Sequence, residues 1–310
     1  MSKPTQPSLI TIAQEGLKLC GYPSGGDATL QAVAQSFIEE SKMDIWNVQN
    51  QYRVKIKPLL VTAWGVTTEN VSRYANPSDC DVVHSVNLCE GTSGTASAVT
   101  ASKVTGPSSG AGKMILLTSG TGIGNCSQIS SISGGGANLT PNFSGSSFAG
   151  TENYLIIDEI HELTQKTPQT LDEIDAPFDK DIPTHWYPQG QGMADGDETG
   201  EFELYPVPDA VYGLKIRYYM NIMLLDLSTD ANLIGSIYRQ LKPIFIQKVI
   251  YRMHQRDRNW DYARTMEKQY WAFIETFIKN YIDDYIIPQP RDLRLYTSNT
   301  TTFNIVDGTI

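Results

Sequence analysis

Residues 91–150 contain thirteen glycines and thirteen serines but only two charged side chains, Lys103 and Lys113. Glycine disfavours helix interiors through backbone entropy, and serine does so by competing for backbone hydrogen bonds. A disordered tract normally carries charge, which is scarce here. Short apolar runs recur instead, including Lys113-Met-Ile-Leu-Leu-Thr118 and, just beyond, Asn153-Tyr-Leu-Ile-Ile157. The texture predicts small antiparallel strands joined by tight, Gly-rich turns.

The flanks have a different period. Near the start, Ile10, Ala13, Leu17 and Cys20 share one helical face, and Gly21 is a natural stop. A second helix is predicted from about Ala28 to Tyr52, with the stripe Leu30, Val33, Ala34, Phe37, Ile38, Ile45 and Trp46. Towards the other end, Ser228 or Asp230 can cap a helix carrying Ile234, Ile237, Tyr238, Leu241, Ile244, Phe245 and Val249. Pro243 inside that pattern predicts a kink or a boundary. A last helix is predicted from about Asn259, with the stripe Trp260, Ala263, Tyr270, Trp271, Ile274, Phe277, Ile278, Tyr281 and Ile282, closed by Pro288 and Pro290. Residues 291–310 are Thr- and Asn-rich and predict an extended tail.

Between these ends lies a second strand signal. Phe202, Leu204 and Tyr205 lead into Pro206-Val207-Pro208-Asp209, which cannot continue a central strand. Tyr212, Leu214, Ile216 and Tyr218 then alternate with Gly213, Lys215, Arg217 and Tyr219, the period of a half-buried strand. The stretch predicts a β-hairpin with a proline-rich turn. The expected class is α+β: an α-helical bundle built from both chain ends with an inserted antiparallel β domain. Residues 1–60 would give the first helices, 61–227 the β-rich insertion with 91–150 as its Gly/Ser-rich module, 228–287 the last helices and 288–310 the tail.

The chain has 310 residues and a net charge of −10, most of it concentrated. From Asp158 to Glu203 there are thirteen acidic residues against Lys166 and Lys180. Such a belt repels phosphate, so it suits a channel wall that DNA slides past without sticking. Asp195, Asp197, Glu198 and Glu201 are its candidate lining residues. Arg239, Lys242, Lys248, Arg252 and Arg256, with Arg258 beyond, predict a basic face on the later helices for an acidic protein surface, such as the acidic belt of a neighbouring subunit, or for DNA phosphate. Cys20, Cys80, Cys89 and Cys126 are scattered, and the start MSKPTQPSLI has no apolar signal core. The expectation is a cytosolic chain with reduced thiols. No apolar run approaches the length of a membrane span.

Four patterns imitate chemistry. Gly106-Pro-Ser-Ser-Gly-Ala-Gly-Lys-Met114 echoes a phosphate loop. However, Pro107 stands where the first glycine belongs, and Met114 stands where the metal-binding hydroxyl belongs. Leu155-Ile-Ile-Asp-Glu-Ile-His161 could end a strand in metal-binding carboxylates, but no crossover helix separates it from the first pattern. Cys80, His84 and Cys89 are zinc-ligand types that lack a nearby fourth ligand. Gly120-Thr-Gly-Ile-Gly124 has no helix after it and no acidic residue about twenty positions on. No catalytic residue, metal or cofactor is expected from them.

Three parts together resemble one family. They are the helix–Gly–helix from Ile12 to Trp46 around Cys20-Gly21-Tyr22, and the strands from Ala111 to Ile157. The third is His185-Trp-Tyr-Pro188 with Glu201–Asp209 and Tyr212–Tyr219. The chain is similar to the head-to-tail adaptor (connector) proteins of short-tailed bacteriophages, the tail tubular protein A and P22-like adaptor group. The resemblance implies a non-enzymatic virion protein of the neck or tail, assembled in the host cytoplasm. It implies a ring, expected to hold 12 copies, docked beneath the portal protein. That ring would extend the DNA channel, let genomic DNA pass without specific binding, and seat a tail nozzle, tube or fibre protein. Arg291, Leu293, Leu295, Tyr296, Phe303 and Ile305 of the tail are the implied portal contacts. The Gly/Ser-rich insertion is where the chain departs most from the family. Two rivals stand beside this reading: a tail decoration or receptor-binding protein, and a divergent nucleotide hydrolase.

Overall fold

The structure, a computed structural model, describes residues 9–22, 26–52, 55–143, 148, 151–167, 180–189, 200–224 and 235–283. Helices α1 (Leu9–Leu19) and α2 (Ala28–Tyr52) come first, and α3 (Gly235–Arg256) and α4 (Trp260–Tyr281) come last. Between them run β1 (Lys55–Ile56), β2 (Leu60–Val66), β3 (Arg73–Ala75), β4 (Cys80–Thr95), β5 (Ala98–Thr100) and β6 (Lys103–Thr105). Then follow β7 (Met114–Leu117), β8 (Cys126–Ser133), β9 (Gly136–Thr140), β10 (Asn153–Glu162) and β11 (Thr164–Gln165). The remaining strands are β12 (Lys180–Asp181), β13 (His185–Gln189), β14 (Glu201–Tyr205), β15 (Val207–Pro208), β16 (Gly213–Met220) and β17 (Ile282–Asp283). The class is α+β.

Nine strands make one sheet in the order β2-β16-β4-β10-β7-β8-β9-β6-β5, antiparallel at every step. A second sheet has the order β11-β13-β14-β3. The predicted hairpin over 202–219 is therefore corrected: β14 and β16 lie in different sheets and do not pair. Pro206 and Pro208 have no N–H to give a ladder, so the chain changes sheets there. Val207–Pro208 makes a short parallel pairing with β12 on the way.

The helices follow their predicted stripes except at four positions: Ile10 of α1 is 47% exposed, Ile282 lies beyond α4 on β17 opposite Ile56 of β1, and Pro243 and Trp260 also depart. In α1, Ile12, Ala13 and Leu17 are fully buried. The helix ends as predicted at Gly21, whose φ is +89°. The Tyr22 N–H reaches Leu17 O and the Gly21 N–H reaches Lys18 O, the paired bonds of a Schellman cap. Asp27 caps α2 by accepting from the Leu30 N–H at 2.8 Å. Pro243 lies inside α3 and does not end it. Leu241, Ile244 and Phe245 around it are buried, and their packing outweighs the roughly 3 kcal/mol a helix-interior proline costs. Trp260 opens α4 but is 57% exposed, so it is not part of the buried stripe. The predicted caps Ser228 and Asp230 lie outside the described residues.

One apolar cluster runs from Ile12, Ile38, Phe245 and Ile274 on the helices into Val86, Trp186, Phe202 and Leu214 on the strands. A second lies wholly between residues 96 and 156, with Val104, Ile115, Leu117, Ile129, Leu139 and Ile156 at its centre. Glycine shapes that module at close approaches. At Gly91, opposite the β10 bulge between Ile157 and Glu159, a Cβ would lie 1.9 Å from the Ile156 carbonyl oxygen.

Candidate interaction surfaces

The patterns that imitate chemistry fold against one another. Lys113 precedes a strand, β7, so the helix N-terminus that would bind phosphate is not there. Its ammonium pairs with Asp158, and the Thr92 hydroxyl donates to Asp158 at 3.2 Å. That lysine, more than anything else, holds the Asp158 carboxyl below its usual range. The two halves of the nucleotide-like pattern thus satisfy each other. The Gly120–Gly124 turn is filled by the buried Glu152 carboxylate, which accepts from the Gly122 N–H and the Thr121 hydroxyl, each at 3.3 Å. A Cβ at Gly120 would sit 2.7 Å from Glu152 Cγ.

Cys80 and Cys89 are nine residues apart on β4, about 30 Å along an extended strand, too far to share an ion. Cys89 packs in a cluster with Leu116, Trp64 and Cys126, while the His84 ring stacks on Tyr219 at 5.7 Å. Burial pushes the thiols up to about 12 at Cys20, Cys80 and Cys126, and to about 11 at Cys89. They stay protonated at neutral pH and are poor ligands or nucleophiles. Among the described residues no group of three His, Cys, Asp or Glu side chains could hold a metal.

The predicted basic face is largely engaged inside the molecule. Lys242 pairs with Glu15 of α1 at 2.5 Å. Lys248 is buried, 2.6 Å from Asp44 of α2 and 4.9 Å above the Tyr270 ring. Tyr270 also donates to Asp44 at 2.7 Å. Arg252 binds Glu40 of α2 through Nη2 at 2.6 Å and through Nε at 2.9 Å. Glu40/Asp44 and Lys248/Arg252 are each spaced by four, so both pairs face each other across the helices. That complementary spacing was the available sequence signal, and it was missed. Arg256 is exposed, while the Arg239 side chain lies outside what is described.

The exposed basic surface sits one turn further on, at the α3–α4 hairpin tip. The Asn259 N–H reaches His254 O and the Arg258 N–H reaches Gln255 O, again a Schellman cap. Here the left-handed position is Arg258, with φ +58°, where glycine is usual. This conformation costs a side-chain-bearing residue about 1 kcal/mol. Asp257 accepts from the Tyr22 hydroxyl at 2.8 Å. Arg256, Arg258, Arg264 and Lys268 point to solvent around Trp260 and Tyr262, and Tyr262 meets the His254 ring edge-on at 4.4 Å.

A second surface is acidic. A cleft of about 430 Å³ is lined by Leu88, Glu90, His161, Glu162, Leu163, Asp181, Ile182, Pro183 and Thr184. Asp209 accepts from the Tyr212 hydroxyl at 2.6 Å. Burial first, then Asp209 with Glu90 and Asp181, raises the Tyr212 phenol. Ile182 of the lining stands exposed.

Of the predicted channel residues, Glu201 is exposed at the start of β14, paired with Ala75 and Gln189 and away from the cleft. Asp195, Asp197 and Glu198 lie outside the described residues. So do the tail residues Arg291, Leu293, Leu295, Tyr296, Phe303 and Ile305. Among the described residues no helix is long and apolar enough to cross a membrane. No family model and no curated protein matches the chain.

Proposed function

We propose that this chain is a head-to-tail adaptor of a short-tailed phage: a structural virion protein, not an enzyme, that forms a ring under the portal and seats the tail. The observation that carries the reading is the burial of the stretch bearing the family resemblance. Trp186, Phe202 and Tyr219 from that stretch are among the largest fully buried side chains, and Trp186 and Phe202 join the cluster shared with the helices. Their role is scaffolding, as an assembly protein requires. In this reading α1 to α4 act as one bundle built from both chain ends, with the antiparallel β domain inserted between them. The Glu15–Lys242, Asp44–Lys248 and Glu40–Arg252 pairs support that arrangement by tying early helices to late ones.

A rigid bundle of this kind suits a ring wedge, because a heterologous contact repeated around an axis closes a ring. Twelve copies are expected. The tail from Arg291 would dock on the portal through Leu293, Leu295, Tyr296, Phe303 and Ile305, ordering as it binds. Asp195, Asp197, Glu198 and Glu201 of the acidic belt would face the channel and leave DNA free to slide. Co-sedimentation with portal rings of the same phage tests the reading. The full chain is expected to pellet with portals, and a chain ending at Pro290 is expected to stay in the supernatant. A folded full chain that never pellets with intact portals contradicts it.

A further inference from the structure

We infer that the α3–α4 hairpin tip of one copy seats in the acidic cleft of the next copy. The inference rests on the ring reading for its geometry and names the surfaces that close the ring. The tip offers Arg256, Arg258 and Arg264 around Trp260, which is 57% exposed, and Tyr262, which is 47% exposed. Exposed tryptophan and tyrosine beside arginine is the composition of an interface hot spot, not of an ordinary solvated helix. The cleft offers the opposite character: Glu90, Glu162 and Asp181 over Leu88, Leu163 and Ile182. Its 430 Å³ lies in the range that accommodates a small aromatic group, so an indole fits with its arginine neighbours over the carboxylate rim.

The two surfaces are on different elements. Among the described residues no hydrogen bond or ion pair joins them within one chain. In a ring, a tip-to-cleft contact runs head to tail, and copies added this way propagate in one direction, whereas two copies that exchange tips reciprocally would stop at a dimer. Charge complementarity sets the register and the rate of encounter. Arg258 occupies the left-handed cap position that Gly21 fills in α1, so the tip keeps a guanidinium where the backbone favours glycine. DNA phosphate is the other occupant such a tip could take. The matching acidic cleft on the same molecule favours a second copy.

Disulfide trapping in the full chain tests this. Asp261→Cys, next to Trp260, and Thr184→Cys, on the cleft lining, are both at exposed positions and leave Trp260 and Ile182 in place, so neither should disturb folding or the contact. Under oxidation at high protein concentration, the double variant is expected to give a ladder of covalent multimers. Mixed single variants are expected to give dimers only, and the wild type neither. Asp181→Arg in the double variant is expected to cut the ladder at least tenfold, and adding Arg264→Asp to restore it in part. A disulfide confined to the monomer, a covalent dimer with no higher multimers, or no disulfide at all overturns the inference. Protection of Trp260 by duplex DNA without cross-linking also overturns it and gives the tip to nucleic acid. The portal reading fails or stands separately: portals that bind the chain without any ladder leave the adaptor and remove this contact, and a ladder without portal binding does the reverse.

Discussion

Between α2 and α3 the chain buries charge, and in residues 96–156 it buries almost none. Lys248 is nearly inaccessible between Asp44, Glu40 and the Tyr270 ring, and its carboxylate partners are about two hundred residues away in sequence. The Gly/Ser-rich strands instead close an apolar cluster, through the hairpin pairs β5–β6, β7–β8 and β8–β9 and the longer-range pairs β6–β9 and β7–β10. The helices are specified by long-range charge register. The strand module is specified by where glycine lets two backbones meet.

This contrast can be broken at either end. The largest effect is expected at Gly91. Its Cβ would lie 1.9 Å from a backbone oxygen, with no flexible side chain to yield. Gly91→Val should cost about 4 kcal/mol or more in chemical denaturation, because the β4–β10 ladder must open. An unchanged midpoint would show that the bulge is adaptable. Next is Lys248→Met, which leaves Asp44 in a half-buried site without its cation. About 3 kcal/mol is expected to be lost, and the paired Lys248→Met, Asp44→Leu variant should lose less, since removing both charges also removes the desolvation cost. Equal losses for the single and paired variants would mean that packing, not charge, decides this contact.

Smaller changes sharpen the comparison. Asp27→Ala removes the cap of α2 and should lower stability by about 1 kcal/mol, read as a shift in the denaturation midpoint. Arg258→Gly should leave stability equal or raise it by up to about 1 kcal/mol, since glycine adopts the left-handed cap freely. The same variant should reduce the cross-link ladder. A loss of stability with an unchanged ladder would make Arg258 a packing residue.

The Gly/Ser-rich strands and the helical stripes were legible because each depends on residues close in sequence. Gly21 as a stop, the stripe of α2 and the strands around Met114–Leu117 and Asn153–Ile157 all follow from short-range periodicity. What was illegible depends on pairing across the chain. Lys248 and Arg252 look like a solvated face until Glu40 and Asp44 are set opposite them. The Pro206–Pro208 segment looks like a hairpin turn, because sequence cannot say that its two strands enter different sheets. Trp260 fits an apolar period by position, yet its place at the first residue of α4, after an exposed cap, leaves it in solvent. The cleft was invisible because Glu90, Glu162 and Asp181 come from three separate strands.

Electron microscopy of the chain mixed with portal rings of the same phage addresses the central claim most directly. The account predicts a second ring, of 12 copies, stacked coaxially beneath the portal with an open channel through both. Intact portals beside a folded chain, with no added density, would contradict it.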